Sequence, residues 1–249
     1  MLEKGSSTMK NTAVKKALSD GRKKSDEYNW ELLRPVGNVA GDILHRSMEL
    51  LVGRRFAEAG ISIEDSVRQA VAENEERLHL IQEKWKDDLK SEGYSEKVES
   101  ITEEETKEKV TEFITACARA YDSWLDAIWP EVVNVWPEVH FSYQKQNESN
   151  PDIVVWMNGT ADLIMELKDG SFCLIDYKSD NDYLMSEDEM RVALAEKYTP
   201  QLAVYRNVIQ TMLGADANKI KTGIVSFSQK DENGKLLPGK DIRVRYAEL

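Results

Sequence analysis

The chain has 249 residues and 41% of them are apolar, so it can bury a core and is too apolar to be an intrinsically disordered protein. Its formal net charge is −12, but residues 1–57 hold 11 bases against 7 acids, whereas residues 58–112 hold 17 acids against 8 bases. This uneven distribution means that the total charge does not exclude a nucleic-acid partner. No apolar run approaches the length of a membrane span and the first thirty residues hold no apolar signal core, so we expect a cytoplasmic protein without membrane contact.

Two other sequence features argue against a cysteine-bound metal site and against an ATP-binding site. Cys117 and Cys173 form no C-x-x-C pair, which favours two reduced thiols over a zinc ribbon or an iron–sulfur cluster. The segment "GKLLPGKD" at 234–241 matches G-x-x-x-x-G-K, but Asp241 replaces the Ser or Thr that a phosphate-binding loop needs, and a predicted strand follows. We interpret this segment as a hairpin turn and expect no ATP hydrolysis by the chain itself.

The first half of the chain is predicted to be helical. Residues 1–28 are polar and basic and are expected to form a tail or a short helix. Residues 38–59 place apolar side chains at roughly helical spacing. Residues 60–129 are rich in Glu, Lys, Ala and Leu, which predicts an insertion of two or three long amphipathic helices with acidic outer faces.

Residues 130–249 are predicted to form a sheet. The prolines Pro130 and Pro137 mark the change from a helical period to a period of two residues, after which short β-rich segments follow one another. The predicted strands are "EVHFSYQ", "DIVVWM", "TADLIMEL", "FCLIDY", "KTGIVSFSQ" and "DIRVRYAEL". Helices followed by strands in this order favour an α/β or α+β fold with a helical insertion on one side.

One helix is predicted among these strands. After "FCLIDY" a polar loop is expected over residues 179–196, followed by a helix over residues 200–213. Thr199 is its expected N-cap and Pro200 its expected first residue, since Pro is favoured at the first helical position.

The strand "FCLIDY" ends in a charged pair. Asp176 and Lys178 are two residues apart, so their side chains share one face of a strand. Asp162 interrupts the preceding apolar strand. An edge salt bridge worth ~0.2–1 kcal/mol is one explanation. The other is a group of carboxylates that binds a hard cation such as Mg²⁺ beside a lysine, which supplies the requirements of phosphodiester hydrolysis.

Several short motifs occur in a characteristic order. "GTADLI" at 159–164, "DYK" at 176–178 and "QLAVY" at 201–205 follow a helical G-x-x-x-H that spans Gly41 to His45. In this order they resemble the RecB/AddA-type nuclease domain of the PD-(D/E)XK nuclease superfamily. The resemblance implies a single α/β domain over residues 1–249, with a restriction-endonuclease-like core in which helices flank a central mixed β-sheet, and with the acidic helices as an insertion.

The resemblance also implies a metal site and a catalytic set. The metal, Mg²⁺ or Mn²⁺, would be bound by His45, Asp162, Asp176 and the carbonyl of Tyr177. The catalytic residues would be Asp162, Asp176, Lys178, Gln201 and Tyr205. Lys178 would position the attacking water and stabilise the charge on the phosphate, and Gln201 and Tyr205 share a helical face from which they could touch the scissile strand or the lysine. Glu138 is a weaker candidate ligand, while His79 is expected at the surface and His140 in a strand.

The function implied is a Mg²⁺- or Mn²⁺-dependent deoxyribonuclease. We expect an end-processing exonuclease that acts on single-stranded or duplex DNA ends in recombination and repair. The resemblance also implies a helicase domain or subunit as its partner, as for the nuclease domain of a helicase-nuclease. A site-specific endonuclease, or a non-catalytic DNA-binding or scaffold domain that retains the fold, is the alternative. DNA is expected to enter on the side of Lys178 and Gln201, helped by basic residues in 1–57 and avoiding the acidic segment 58–112.

A shared metal site also requires one particular strand register. If Leu167 and Ser171 flank the hairpin turn, Asp162 lies opposite Asp176, whereas a slip by one residue moves every side chain to the other face. The sequence therefore predicts a three-residue turn with Gly170 in the left-handed region.

Overall fold

The computed structural model describes residues 37–60, 62–91, 98–146, 149–150, 152, 154–179, 186–228 and 242–249. The α-helices in this part of the chain are α1 (Asn38–Phe56), α2 (Ile63–Glu73), α3 (Leu78–Ser91), α4 (Glu103–Ile128) and α5 (Glu187–Leu213). The strands are β1 (Val132–Gln146), β2 (Val154–Leu167), β3 (Phe172–Lys178), β4 (Ile220–Ser228) and β5 (Arg243–Glu248). The predicted tail at 1–28 and the predicted turn at 234–241 lie outside the described residues.

The five strands form one mixed sheet in the order β1-β2-β3-β4-β5. β3 and β4 are parallel and joined through α5, while the other neighbouring pairs are antiparallel. The α/β class with a mixed sheet is thus confirmed, and the single-domain boundary stays a prediction. None of the described helices is long and apolar enough to cross a membrane.

Helices cover both faces of the sheet. On one face, α1, α2, α3 and α4 pack against alternate residues of the central strands, among them Leu163, Ile175 and Val225. On the other face, α5 packs against the intervening residues, such as Leu174 and Ile224. This alternation follows from the two-residue period of a strand, and it explains why the central strands are apolar on both faces.

Helix α5 begins earlier than the sequence indicated. The prediction of a loop up to residue 196 and of Thr199 and Pro200 as a helix start is wrong, because Pro200 lies inside the helix and the N-cap is Ser186. Ser186 and Glu189 form a capping box, in which each side chain bonds the other residue's backbone N–H. Residues 186–199 join the helix because Met190 and Leu194 are buried against the sheet.

The first two strands are longer than predicted. Pro137 does not end the helical half but lies within β1, opposite Leu163. A proline is tolerated there because β1 is an edge strand, whose outward N–H groups have no ladder partner to lose. The predicted strands "DIVVWM" and "TADLIMEL" are one strand, β2, which continues through Gly159.

The β2–β3 hairpin has the register that the sequence predicted. Its backbone pairs run from Leu163↔Ile175 to Glu166↔Phe172. The turn comprises residues 168–170, and the N–H of Leu167 donates to the carbonyl of Ser171 at 2.8 Å. Gly170 has a φ of 75°, so the expected left-handed residue stands where the turn requires it.

Replacing Gly170 by alanine is expected to destabilise the protein by about 1–2 kcal/mol, because a Cβ disfavours the left-handed region. The matched control is Gly53→Ala, since Gly53 lies inside α1 and a Cβ there meets no atom within 4 Å. That control is expected to stabilise the protein by about 0.5–1 kcal/mol. Denaturant unfolding measures both variants, and an equal effect of the two would contradict the assigned turn.

Two of the basic residues expected to attract DNA are already paired with carboxylates. Arg46 bonds Glu49 at 2.6 Å and Glu73 at 2.7 Å. Arg55 bonds Asp122 at 2.7 Å and also pairs with Asp126. These two guanidinium groups therefore add little net positive charge to the surface. The basic residues of segment 1–36 lie outside the described residues.

Candidate active site

The candidate site lies in a fork where β2 and β3 separate. The backbone pairs of the hairpin end at Leu163↔Ile175, one residue before Asp162 and Asp176. Beyond this pair, the Asp162 side chain takes the place of a backbone acceptor: its Oδ2 accepts a hydrogen bond from the N–H of Tyr177 at 2.6 Å. Both aspartates are buried, with 5% and 2% of their surface exposed. Two buried carboxylates at one strand fork need compensating partners.

The first of these partners is His45, which reaches the fork from α1. Its Nδ1 lies 3.3 Å from Oδ1 of Asp162 and 3.8 Å from Oε1 of Glu138. Its Nε2 lies 3.2 Å from the carbonyl oxygen of Tyr177. Both ring nitrogens thus face oxygen acceptors, an arrangement that favours the imidazolium in the absence of a metal.

Glu138 completes this group, although the sequence alone ranked it low among the candidate ligands. It lies in β1 directly across from Asp162, between the pairs Pro137↔Leu163 and Val139↔Ala161. Its φ of 48° is unusual for a residue other than glycine, and such backbone strain concentrates at functional sites.

The strain at Glu138 coincides with a change of side-chain orientation in both strands. Val135 packs against the cluster under α1–α4, while Val139, an even number of residues away, packs against the α5 cluster. Leu163 and Ala161 of β2 differ in the same way. Because residues two apart share a face in a regular strand, both strands must be irregular between these positions. Sequence periodicity does not reveal this irregularity.

The group fits a divalent cation. Within the described part of the chain, metal-binding atoms of His45, Glu138 and Asp162 lie within 4.8 Å of one another. Oε1 of Glu138 is buried and has no hydrogen-bond partner among the described residues. A buried carboxylate oxygen without a donor is costly, and a cation would satisfy it. Oxygen ligands suit Mg²⁺, and an added imidazole suits Mn²⁺.

Protonation of the site follows from burial and from the closeness of its charges. Burial and the neighbouring charge of Asp162 raise the pKa of Glu138 to about 7. The same two causes raise the pKa of Asp176 to about 6. Burial alone would lower the pKa of His45, but the hydrogen bond and charge of Asp162 outweigh it, and the net shift is upward. All three groups thus hold protons more tightly than they do in an unfolded chain.

Asp176 and Lys178 form the second half of the site, on the α5 side. Nζ of Lys178 lies 2.6 Å from Oδ2 of Asp176 and 4.5 Å from the centre of the Tyr198 ring. Burial alone would lower the pKa of Lys178, but the charge and hydrogen bond of Asp176 raise it above its usual value. Lys178 is therefore a cation at neutral pH.

The helix α5 orients Asp176. Nε2 of Gln201 donates to Oδ1 of Asp176 at 3.1 Å and to the hydroxyl of Tyr205 at 2.9 Å. Gln201 and Tyr205 lie four residues apart on one helical face, as predicted. The structure places Gln201 against Asp176, rather than against Lys178.

The backbone of Tyr177 is held by its own side chain. Its hydroxyl lies 2.6 Å from that of Tyr121 in α4, and both tyrosines are fully buried. The ring of Tyr177 also meets the ring of His45 edge-on at 5.7 Å. This anchorage fixes the carbonyl that faces His45, because a rigid side chain leaves the strand end little freedom.

The residues predicted from sequence thus fall into two adjoining sets. His45, Asp162 and the carbonyl of Tyr177 converge with Glu138, while Asp176 contacts Lys178 and Gln201 instead of joining the group within 4.8 Å. The role of Asp176 as a metal ligand stays a prediction. His79 is exposed and His140 lies in β1, as expected.

The fold and the site define a class of protein: an α/β protein with a restriction-endonuclease-like sheet and a carboxylate–lysine site at its strand ends. The chain belongs to the PD-(D/E)XK nuclease superfamily, whose family model matches residues 25–244. Over 94 residues it is 32% identical to an ATP-dependent helicase/nuclease protein of Staphylococcus saprophyticus subsp. saprophyticus. That match covers 36% of this chain and 7% of the relative's length.

Proposed function

We propose that the chain is a metal-dependent deoxyribonuclease that removes nucleotides from DNA ends. The observation that carries this proposal is the convergence of His45, Glu138 and Asp162 beside the Asp176–Lys178 pair. A structural salt bridge alone does not account for three potential metal ligands from three separate elements, one of which, Glu138, has a buried oxygen without a hydrogen-bond partner among the described residues. Superfamily membership supports the nuclease chemistry.

The proposed roles follow from the contacts of each side chain. His45, Glu138, Asp162, Asp176 and the Tyr177 carbonyl would hold a Mg²⁺ or Mn²⁺ ion, with Mn²⁺ favoured by the imidazole. Such an ion supplies charge neutralisation at the phosphate and a more acidic water.

Lys178 would act as a cation rather than as a base, because its raised pKa keeps it protonated. Its ammonium group donates a hydrogen bond that positions the attacking water and stabilises the negative charge that builds on the phosphate oxygens. Gln201 would hold the Asp176 carboxylate in place, and Tyr205 would hold Gln201. The water oxygen forms the new bond to phosphorus, and the deoxyribose oxygen leaves with a proton.

The cellular role proposed is DNA end processing during recombination and repair, together with a separate helicase domain or helicase protein. Its support is the similarity of 94 residues to a protein named as a helicase/nuclease. The match is confined to a small part of that relative, so the partnership rests on the proposal alone.

The decisive experiment incubates the protein with end-labelled linear DNA and with a covalently closed single-stranded circle, in Mg²⁺ or Mn²⁺, with and without EDTA. We expect metal-dependent release of short products from the linear DNA and none from the circle. Cleavage of the circle would replace the exonuclease by an endonuclease. Binding without cleavage in either metal would overturn the nuclease in favour of a DNA-binding domain.

A further inference from the structure

A two-stranded ribbon projects from the candidate site. β1 and β2 pair with each other as far as Gln146↔Val154, but β2 pairs with β3 only between Leu163 and Glu166. Residues 139–146 and 154–161 therefore extend beyond β3 as a ribbon of two strands. Its base is the Glu138–Asp162 position, so the ribbon continues directly from the metal-binding group.

One face of this ribbon is anchored to the protein. The ring of Phe141 meets the ring of Tyr205 edge-on at 5.0 Å. Gly159 lies under this contact, since a Cβ there would come within 2.6 Å of Phe141 and 3.1 Å of Tyr205. The glycine that begins "GTADLI" is therefore explained by the close packing of an aromatic ring against its backbone. This packing holds the base of the ribbon beside α5.

The opposite face of the ribbon is solvated, and we call it the open face. It consists of the even-numbered residues of the two strands, from His140 to Gln146 and from Val154 to Thr160. Side-chain hydrogen bonds cross it, from His140 to Thr160 at 2.8 Å and from Ser142 to Asn158 at 2.7 Å. One pair of this face before its far end, Trp156 lies opposite Gln144 and has 66% of its surface exposed. An exposed indole on a polar strand marks an interaction site more often than a lone exposed aliphatic residue does.

The charge of the ribbon differs from that of the rest of the chain. The protein has 45 acids and a net charge of −12, but residues 139–146 and 154–161 contain no acid and one base, Lys145. The acids of the connecting segment, Glu148 and Asp152, lie outside these residues. An acid-free strip that begins at the metal-binding group offers a polyanion a path without charge repulsion.

We propose that the open face binds a single-stranded segment of DNA that leads to the candidate site, and that Trp156 stacks on one of its unpaired bases. This inference rests on the proposed nuclease function. At ~3.3 Å per strand residue, the six residues from Asp162 to Trp156 span ~20 Å, or about six nucleotides at the 3.4 Å spacing of a stacked strand. The hydroxyl and amide side chains between them are suited to bonding phosphate and sugar oxygens.

A single strand fits this surface better than a duplex. Stacking on an aromatic side chain needs a free base face, which paired and stacked bases do not offer. Such stacking tolerates any sequence, as an end-processing enzyme requires. Among the described residues, the open face presents one indole on a ribbon of two strands, a surface that a single nucleotide strand can follow.

The test compares Trp156→Ala and Trp156→Phe with the unaltered protein. Affinity for a fluorescent 12-nucleotide single strand and for the 12-base-pair blunt duplex is measured by anisotropy in EDTA, which prevents cleavage. We expect Trp156→Ala to weaken single-strand binding about 5- to 150-fold, the loss typical of one stacked base, and to leave duplex affinity within about twofold. Trp156→Phe, which keeps an aromatic face, is expected to retain most of the affinity.

The matched control is Val133→Ala, because Val133 is 47% exposed and lies at the opposite end of β1. It is expected to bind both DNAs like the unaltered protein, and equal melting temperatures of all variants exclude unfolding. Equal affinity of Trp156→Ala and the unaltered protein for the single strand would overturn the inference, as would an equal loss in Val133→Ala.

A cleavage assay distinguishes a wrong inference about the ribbon from a wrong proposal of nuclease function. A trinucleotide bound at the fork is too short to reach Trp156. With Mg²⁺ or Mn²⁺, Trp156→Ala is therefore expected to lower kcat/KM on the 12-nucleotide strand and to leave trinucleotide hydrolysis unchanged. No cleavage of either substrate by the unaltered protein would overturn the nuclease proposal, whereas equal kcat/KM on the long strand would overturn the role of the ribbon alone.

Discussion

Asp176→Asn and Lys178→Ala are each expected to lower metal-dependent DNA cleavage by several orders of magnitude. Asp176 and Lys178 contact each other at 2.6 Å, and the proposed mechanism assigns Lys178 to the charge that builds on the phosphate. Removing one preorganised stabilising group typically costs about 10²–10³-fold in rate, and losing a carboxylate of the proposed metal site is expected to add to that cost. Asp162→Ala is expected to act similarly, because its carboxylate serves both His45 and the backbone of Tyr177.

Asp176→Asn is expected to remain folded, so a loss of its cleavage rate can be attributed to the site. Asparagine has the size of aspartate and can still accept the hydrogen bond from Gln201. Burial already disfavours the Asp176 carboxylate, as its raised pKa indicates, so removing the charge relieves a cost in the metal-free protein.

The matched controls are exposed residues of the same types. Asp188 lies in the first turn of α5 with 92% of its side chain exposed, and Lys168 is exposed in the β2–β3 turn. Asp188→Ala and Lys168→Ala are expected to cleave DNA at the rate of the unaltered protein. End-labelled DNA and single-turnover kinetics give the rates. A folded Asp176→Asn or Lys178→Ala protein with an unchanged rate would refute the assignment.

Divalent metal is expected to raise the melting temperature strongly at pH 8 and weakly at pH 5. In the metal-free protein the pKa of Glu138 is raised to about 7 and that of Asp176 to about 6, and the pKa of His45 is raised as well. Between about pH 4 and pH 7 the folded state therefore binds more protons than the unfolded state, so metal-free stability falls as pH rises through this range.

Metal competes with these protons, since ligands must be deprotonated to bind it. At a free Mn²⁺ concentration of about 100 times Kd, stabilisation amounts to ~2.7 kcal/mol, or roughly 5–10 °C for a chain of this size. EDTA is expected to reverse the shift. Calorimetry over a pH series with and without Mn²⁺ measures the effect.

Glu138→Gln tests the origin of this pH dependence. It keeps the size of the side chain and removes the titrating group, so the metal-free protein is expected to lose less stability between pH 5 and pH 8. Its metal-induced shift at pH 8 is also expected to shrink. Glu131→Gln is the control, because Glu131 precedes the same strand and is exposed. Equal pH profiles for Glu138→Gln and the unaltered protein would contradict the cluster.

Local chemistry in the sequence predicted the hairpin at the site well. A turn of three residues ending in Gly170 fixes which residues of β2 and β3 face each other, and the structure has that register. Turn geometry and hydrophobic alternation act over a few residues, so a short segment is enough to specify the hairpin.

Two other features were predicted wrongly from the sequence, because tertiary packing determines them. Pro200 looked like a helix start, but burial of Met190 and Leu194 against the sheet extends α5 back to its N-cap, Ser186. The capping pair Ser186 and Glu189 was the available signal in the sequence. Pro137 looked like a boundary, but an edge position in the sheet accommodates it.

The sequence by itself determined the class of fold and the β2–β3 register, because both depend on local periodicity and turn chemistry. Its motifs, through their resemblance to a nuclease family, also implied His45, Asp162, Asp176 and Lys178 as a candidate set. Only the tertiary structure brought Glu138 opposite Asp162 in a strained conformation, set the open face of the ribbon beside the site and paired Arg46 and Arg55 with acids. The physical reason is that these features depend on contacts between distant segments. A carboxylate or an indole becomes part of a site through its neighbours in space. The residues beside it in the sequence do not specify which those spatial neighbours are.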